Sequence, residues 1–349
     1  MRLEPRTAAA SWMRFAAPAG ALAVATGLSA LLIVAAGAPV GEALAVLIQG
    51  SIGSGFALNE TLARTTPLIF TGLAVAVAFR ARLWNIGAEG QLYMGAVAAT
   101  VLGTGALALP APVLIPLLLT AGFAAGAALL AVPALLKLKL GVDEVVTTLL
   151  LNFITLLFVG LLLEGPLKDP MGLGWPQAEP IVEAGELPKL VAGTRLHAGL
   201  LIALALAVVV WVIETRTVLG YRMRAVGANP VAARFGGIPV ERTLLLTALL
   251  SGGLAGMAGV SEVAGLRGNL TLDLSPGFGY GGIVVAMLAQ LHPIGVVGTA
   301  FFVAAVFVGA DAMSRGVGVP TYIADVIVAT ALLCMLVALL LTRYQLRWR

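Results

Sequence analysis

Charged residues are scarce in this 349-residue sequence, and their scarcity excludes a soluble globular protein. Asp, Glu, Lys and Arg make up 11% of the chain, whereas a soluble domain contains about 25%. Apolar residues make up 60%, and the mean hydropathy is +1.03. They are spread from end to end instead of forming one anchor beside a polar domain. The sequence therefore predicts a polytopic membrane protein.

Cysteine and histidine are also scarce, which excludes several kinds of site. Cys334 is the only cysteine, so no intramolecular disulfide can form, and its apolar surroundings indicate a packing residue. His197 and His292 are far apart in the sequence and lack a cysteine or carboxylate cluster, so no metal site is predicted. No Ser-His-Asp set, nucleophile elbow or HExxH motif is present. We predict neither enzyme chemistry nor a cofactor.

Long uncharged runs are abundant, and their lengths indicate the number of membrane spans. A helix that crosses the hydrocarbon core needs about 20 apolar residues. One span each fits residues 15–41, 65–79, 145–163, 198–213, 243–261 and 326–342, and two spans each fit residues 90–136 and 274–310. We predict an all-α transmembrane helix bundle of about ten spans, forming a single domain over residues 1–349. The first run is far longer than the ~7 to 15 residues of a signal-peptide core, so we interpret it as a span.

The distribution of positive charge predicts the orientation of these spans. With the N-terminus inside, 15 of the 21 Lys and Arg residues lie in cytoplasmic segments, as the positive-inside rule requires. Both termini are therefore predicted to be cytoplasmic, and the basic balance is interpreted as topology rather than as nucleic-acid binding. In this map residues 164–196 form a solvated outer loop, and residues 216–242 form a cytoplasmic segment.

A short capped helix is predicted within the cytoplasmic segment. Asn229 suits the N-cap, Pro230 suits the first helical position, and Gly236 or Gly237 can end the helix. A helix of about two turns is marginal alone. It either docks on another protein or lies against anionic lipid through nearby arginines. These arginines are Arg222, Arg224 and Arg234.

A second polar motif occupies residues 85–91, at the start of the third predicted span. Glu89 lies about one turn inside the span, where a carboxylate must be paired or hydrated. We expect it to share a polar pocket with Asn85 and Gln91, which can form hydrogen bonds across helices. These three residues and Asn152 form either a structural polar clasp or part of a translocation path.

Glycine patterns complete the local signals. Gly122 with Gly126, and Gly252 with Gly256, have the small-xxx-small spacing of helix-packing faces. The glycine-rich stretch 277–282 lacks the Lys-Ser/Thr that a phosphate loop requires. We interpret this stretch as a broken or tightly packed helix entrance.

Four motifs together resemble those of permease subunits of nucleoside-type ABC importers, a group that also includes simple-sugar and branched-chain amino-acid permeases. The motifs are residues 85–91, 141–152, 224–238 and 275–286. The resemblance extends from about residue 60 to the end of the chain. Asp143 departs from the pattern, because asparagine is expected there.

The resemblance implies a multi-pass subunit of the bacterial inner (plasma) membrane that forms a translocation pathway for a nucleoside or a similar small polar solute. Its partners would be an ATP-binding cassette ATPase subunit that hydrolyses ATP separately, a second related permease subunit, an extracytoplasmic substrate-binding lipoprotein and membrane lipid. Residues 220–242 correspond to the family's coupling helix. Coupling to the ATPase is thereby assigned to Arg224, Gly227, Asn229, Pro230, Ala232, Ala233, Arg234 and Gly237.

Two alternatives differ in what drives transport and in what is carried. A self-sufficient secondary transporter would favour ionisable groups at several span midpoints. In this sequence only Glu89 is placed clearly within a predicted span, and it lies near the end of that span. The same importer class could carry a simple sugar, because selection in such systems rests mainly with the delivery protein.

Overall fold

The computed structural model describes residues 2–5, 13–105 and 107–347, and almost all of its regular structure is helical. In chain order the α-helices are α1 (Met13–Ala35), α2 (Val40–Ile52), α3 (Gly55–Arg80), α4 (Ala88–Gly103), α5 (Ala111–Leu140), α6 (Glu144–Glu164), α7 (Gly199–Arg216), α8 (Val218–Ala228), α9 (Pro230–Phe235), α10 (Val240–Ser261), α11 (Phe278–Leu288), α12 (Pro293–Val317) and α13 (Thr321–Arg343). The strands are β1 (Arg2–Pro5) and β2 (Tyr344–Arg347).

The chain divides into two compact units. The first combines Met1–Thr61 with Phe301–Arg349, and the second is Leu62–Ala300. The candidate site residues all lie in the second unit.

In the first unit, α2 packs against α12 through small residues. Gly50 faces Ala312, and Gly309 faces the backbone of Leu47, so neither glycine has room for a side chain. Helix α1 packs against α13. Strands β1 and β2 pair antiparallel, which is a small departure from the all-α prediction within the described residues.

The core of the second unit is a close contact of α10 with α4 and α5. Gly122 faces Gly256, and Gly126 faces Gly252, each at backbone distance. Gly95 of α4 also meets the carbonyl of Gly256. A Cβ at Gly95, Gly126, Gly252 or Gly256 would overlap backbone atoms, and a Cβ at Gly122 would overlap the Val260 side chain. The predicted small-xxx-small packing faces are therefore confirmed.

Helices α5 and α6 are joined by a tight turn that explains the departure at Asp143. Gly141 ends α5 with φ +69°. Asp143 then caps α6, because its Oδ1 accepts hydrogen bonds from the amides of Val145 and Val146 at 2.7 and 3.1 Å. Asp serves this position as well as the expected Asn, since the cap needs only a side-chain oxygen.

Six helices in the described part of the chain are long and apolar enough to cross a membrane. They are α3, α5, α6, α7, α12 and the continuous stretch Val240–Arg267. The pair Ala23–Ala35 and Val40–Ile52, bent by 119°, would make a seventh. Each predicted span coincides with a helix, but ten crossings and cytoplasmic termini stay predictions. Arg6 and Arg349, which contribute to the charge count, lie outside the described residues.

Helix α11 is too short to cross a bilayer. Its 11 residues extend about 16 Å at 1.5 Å per residue, roughly half of the ~30 Å hydrocarbon core. It begins after Gly277, whose φ is +91°, and it ends before Gln290 and Leu291, whose φ values are +52° and +60°. Of the two spans predicted in residues 274–310, only α12 therefore has the length of a crossing.

The loop between α6 and α7 packs against the end of α10 rather than remaining fully solvated. Here α10 continues into a π-helical turn, Glu262–Arg267. The amide of Leu187 donates to the carbonyl of Ala264 at 2.7 Å, and the Lys189 ammonium donates to the carbonyl of Gly265. The loop thus supplies donors to backbone acceptors of this irregular turn.

His197 is buried where this loop enters α7. Its ring fills the space left by Gly199 and Gly265, and its Nδ1 accepts a hydrogen bond from the Gly199 amide at 3.1 Å. Burial, with a smaller contribution from the positive charge of Lys189, lowers the pKa of His197 to about 4. The imidazole is therefore neutral at physiological pH.

Candidate functional site: the α8–α9 segment and a buried polar cluster

The predicted capped helix is present as α9. Asn229 Oδ1 accepts hydrogen bonds from the amides of Val231 and Ala232 at 3.0 and 3.1 Å. Pro230 is the first helical residue, and Gly237 follows the helix with φ +77°. The capping chemistry read from the sequence accounts for both ends of this helix.

Helix α8, which precedes α9, was not predicted. The hydroxyl of Thr217 caps it by accepting a hydrogen bond from the Gly220 amide at 3.3 Å. A threonine three residues before a glycine is too weak a signal to stand out in the sequence. Gly220 lies against the backbone of Glu214 in α7, and Gly227 lies against the backbone of Arg80 in α3. The two glycines let α8 contact the ends of both helices.

The α8–α9 segment leaves large apolar side chains uncovered. Phe235 is 90% exposed, Val231 is 64% exposed and Tyr221 is 61% exposed. Among the predicted coupling residues, Gly227 and Ala233 are buried. The others are exposed: Arg224, Asn229, Pro230, Ala232, Arg234 and Gly237.

An ion pair between the partly buried Arg80 and the buried Glu214 lies next to this segment. Arg80 Nη2 is 3.2 Å from Glu214 Oε2, and it also donates to the carbonyl oxygen of Leu291 at 2.5 Å. Arg224 donates to the backbone carbonyl of Glu214. Sequence reasoning missed this pair because Arg80 and Glu214 each border an uncharged run, where a charge indicates topology and not a contact.

Asn85 and Gln91 form a closed amide pair. Asn85 Nδ2 donates to Gln91 Oε1 at 2.9 Å, and Gln91 Nε2 donates to Asn85 Oδ1 at 2.8 Å. Asn85 Nδ2 also donates to Ser251 Oγ at 3.0 Å, and that hydroxyl donates to the Ala74 carbonyl at 2.6 Å. The pair is buried and links α4 to α10 and α3. Ser251 carried no recognisable signal in the sequence.

Glu89 does not share this pocket, contrary to the expectation from the sequence. Its Oε2 accepts a hydrogen bond from the amide of Gly279 at 2.6 Å, in the first turn of α11. Gly279 has no room for a side chain, since a Cβ there would meet the backbone of Glu89. The carboxylate therefore occupies the positive end of a helix dipole. Glu89 and Gln91 are only two positions apart in the sequence, but Glu89 bonds to α11 and Gln91 bonds to Asn85.

Asn152, which lies in α6, forms hydrogen bonds with the backbone at the start of α4. Its Oδ1 accepts from the Gly90 amide at 2.8 Å, and its Nδ2 donates to the Ile86 carbonyl at 2.9 Å and the Tyr280 hydroxyl at 3.2 Å. A free amide of the first turn of α4 is thereby satisfied by α6.

Four further acidic residues are buried in the described part of the chain in addition to Glu89: Glu144, Asp169, Glu214 and Glu262. Glu214 and Glu262 each have one carboxylate oxygen that finds no hydrogen-bond partner among the described residues. The sequence map had placed only Glu89 clearly within an apolar run. It thus underestimated the number of buried acids.

Comparison with known proteins gives a family and several relatives. The family model described as the permease component of the branched-chain amino acid transport system matches residues 57–342. A glucose ABC transporter permease protein of Haloferax volcanii is 34% identical over 355 aligned positions, covering 99% of this chain and 93% of the relative.

Two guanosine ABC transporter permease proteins of Bacillus subtilis are also similar. NupP is 34% identical over 321 residues, covering 89% of this chain and 90% of its own length. NupQ is 28% identical over 251 residues, covering 69% of this chain and 77% of its own length. No solved structure matches the chain significantly.

The family match covers most of the chain, including the four motifs that carry the resemblance. Together with the apolar helices, it indicates a multi-pass protein of the cell membrane. The chain belongs to the permease-component family of the branched-chain amino acid transport system, as a permease of the nucleoside-type ABC importer group.

Proposed function

We propose that this permease forms the path by which a nucleoside, or a similar small polar solute, enters the cell, and that the α8–α9 segment couples the path to ATP hydrolysis. The observation that carries the coupling role is the capped α9 helix with its uncovered apolar side chains. The alternative solute is a simple sugar, since relatives of equal identity are described for guanosine and for glucose.

Docking on a protein is favoured over a surface position on lipid. Fully burying a Val or Phe side chain contributes roughly 1.5 to 3 kcal/mol, so covering Val231 and Phe235 would give a substantial driving force. Arg234 lies 3.2 Å from Glu241, and both side chains are exposed. This pairing reduces the net positive charge that anionic lipid would attract.

The ATPase is a separate subunit in this proposal, because the chain contains no phosphate-loop motif. A second permease is supported by the two guanosine permease proteins of Bacillus subtilis, which both resemble this chain. An extracytoplasmic lipoprotein would deliver the solute to the outer side. Lipid would cover the remaining apolar surface.

The polar cluster acts mainly as structure in this proposal. Asn85, Gln91 and Asn152 are buried, and their amide groups bond within the protein. Glu89 holds the start of α11 through the Gly279 amide. These contacts favour a clasp that shapes the path rather than a surface that touches the solute.

Purification of the tagged chain from its native cells tests the assignment. We expect an ATPase and a lipoprotein to copurify, and the reconstituted complex to take up guanosine or glucose only with internal ATP. Binding of each compound to the isolated lipoprotein then identifies the solute. Uptake by the chain alone, driven by an ion gradient, would instead support the secondary transporter.

Sidedness can be tested by labelling with an impermeant thiol reagent. Gly185 in the outer loop is buried, so the exposed neighbour Glu186 is the better position for cysteine. In a Cys334→Ala background, Glu186→Cys should react in intact cells, and Ala228→Cys should react only after the membrane is opened. The opposite pattern would invert the proposed orientation.

A further inference from the structure

Helix α8 contacts both partners of the Arg80–Glu214 ion pair. Arg224 donates to the backbone carbonyl of Glu214, and Gly220 lies against the same part of α7. At the other end of α8, Gly227 lies against the backbone of Arg80. A displacement of α8 therefore acts directly on the helix ends that carry Arg80 and Glu214.

Helix α11 is held at both ends by elements outside itself. At its start, the Thr71 hydroxyl of α3 donates to the Phe278 carbonyl at 3.0 Å, and Glu89 accepts from the Gly279 amide. After its end, the Leu291 carbonyl accepts from Arg80. Its length is about half a crossing, as in the interrupted helices that transporters use near polar paths.

The turn after α11 is strained. Gln290 and Leu291 are consecutive residues with positive φ, a conformation that is uncommon for residues other than glycine. Such backbone persists only where surrounding contacts hold it. The Arg80 hydrogen bond to the Leu291 carbonyl is one of those contacts.

The ion pair has an incomplete geometry that allows a second arrangement. Arg80 Nε and Glu214 Oε1 are both buried and find no partner among the described residues. A small relative movement that brings these two atoms together would convert the pair into a bidentate one. Because one guanidinium contacts both Glu214 and Leu291, that movement would alter the hydrogen bond to the turn.

We infer that Arg80 is a positioning residue that connects the α8–α9 segment to half-helix α11. A displacement of α8 by the ATPase reaches the turn after α11 through the shared Arg80 guanidinium. The inference rests on the coupling role proposed above. Arginine suits this task because its planar group presents several donors at fixed angles, whereas lysine presents a single point charge.

Hydrogen exchange in the reconstituted complex tests this connection. Amide exchange is measured by mass spectrometry in residues 218–235 and 278–291, with and without a non-hydrolysable ATP analogue. In the unmodified complex we expect the nucleotide to change exchange in both segments. In Arg80→Gln, the change should persist in residues 218–235 and disappear in residues 278–291. Uptake per ATP hydrolysed should fall about tenfold, within the usual range of coupling between sites.

Lys137→Gln is the matched control. It breaks the Lys137–Glu144 ion pair in the turn between α5 and α6. Within the described residues, neither Lys137 nor Glu144 forms a hydrogen bond or ion pair with Leu291 or α8. This variant should keep both exchange responses. Arg80→Lys should recover part of the response. Lysine retains the positive charge opposite Glu214 but lacks the planar group with several donors.

The outcomes separate the inference from the proposed function. A wild-type-like exchange change in residues 278–291 of Arg80→Gln would overturn the inference alone, and so would the same loss in Lys137→Gln. If Arg80→Gln does not fold, Glu214→Gln decides by the same measurement, with a reduced response expected and an unchanged response contradicting the inference. Absence of any ATPase from the purified wild-type complex would remove the proposed function and this inference with it.

Discussion

The two polar clusters of the second unit differ in charge and in how completely their groups are paired. The amide pair of Asn85 and Gln91 is neutral, and its contacts extend to Ser251 and to the Gly87 amide. The pair of Arg80 and Glu214 is charged, and it leaves a donor and an acceptor without partners in the described residues. Both clusters are largely closed to solvent, but only the first is internally complete.

This difference separates fixed structure from structure that can respond. A fully bonded neutral network in a low-dielectric interior favours one arrangement and rigidifies the helices that it joins. An ion pair with unused hydrogen-bonding capacity can be rearranged without first breaking a complete set of bonds. The fixed cluster lies beside the glycine-packed core, and the incomplete one lies beneath the proposed coupling segment.

Removing the fixed cluster should give the largest effect on the protein itself. Asn85→Leu leaves the buried side-chain amide of Gln91 and the buried backbone amide of Gly87 without their Asn85 partners, at about 1 to 3 kcal/mol each. We expect loss of most folded protein, measured as monodisperse yield and thermal unfolding in detergent. Thr120→Val, a polar-to-apolar change at an exposed position of α5, should leave both unchanged. Normal yield of Asn85→Leu would show that the amide pair is not structurally essential.

Changing the exposed coupling surface should affect transport and leave stability intact. Pro230→Asp with Ala232→Asp places two charges in the first turn of α9, where acidic residues suit the helix dipole. We expect ATP-driven uptake to fall by at least about tenfold, since coupling energies of 1 to 3 kcal/mol are typical. Uptake in proteoliposomes is the measurement, with insertion verified first.

The control for this surface is Val191→Asp with Ala192→Asp, at exposed positions of the predicted outer loop. This pair should retain uptake. Full uptake by the α9 double variant would remove the coupling role from residues 229–237.

Glu89 tests the comparison between the two clusters, because it is an acidic residue that lies close to the neutral amide pair and is proposed to act as structure. Glu89→Gln keeps an oxygen that can accept from the Gly279 amide, so we expect much of the uptake to remain. Glu89→Leu removes the acceptor and should reduce assembly, by about 1 to 3 kcal/mol of stability. Loss of uptake by a correctly assembled Glu89→Gln complex would instead assign the charge itself to the translocation path.

The smallest effect concerns His197 and pH. Its pKa is about 4 in the folded protein, below the ordinary value of about 6.5. The unfolded chain therefore binds a proton first as pH falls through 6.5, and the folded state loses stability until about pH 4. At pH 5.5 the cost is on the order of 1 kcal/mol. The pH dependence of thermal unfolding should be flatter in His197→Phe than in the unmodified protein, and equal slopes would contradict the assigned burial.

Much of the fold could be predicted because it follows from local chemistry. The membrane class follows from composition, and each uncharged run contains a helix. Asn229, Pro230 and Gly237 mark the ends of α9 through hydrogen bonds and backbone angles that involve only near neighbours. The glycine spacing of α5 and α10 indicated a packing face without identifying its partner.

The contacts that distinguish the candidate sites required the tertiary structure. Arg80 is separated from Glu214 by 134 positions in the sequence and from Leu291 by 211 positions. No local sequence pattern predicts either contact. Glu89 turns to α11 although its near neighbours Asn85 and Gln91 turn to each other.

The sequence by itself determined that this is a membrane protein, where its helices lie along the chain and to which family it belongs. These properties depend on composition, periodicity and short motifs. Only the tertiary structure decided which buried polar groups meet. The physical reason is that a side chain on a packed helix finds its partner by the rotation and crossing of two helices, and distant segments set both.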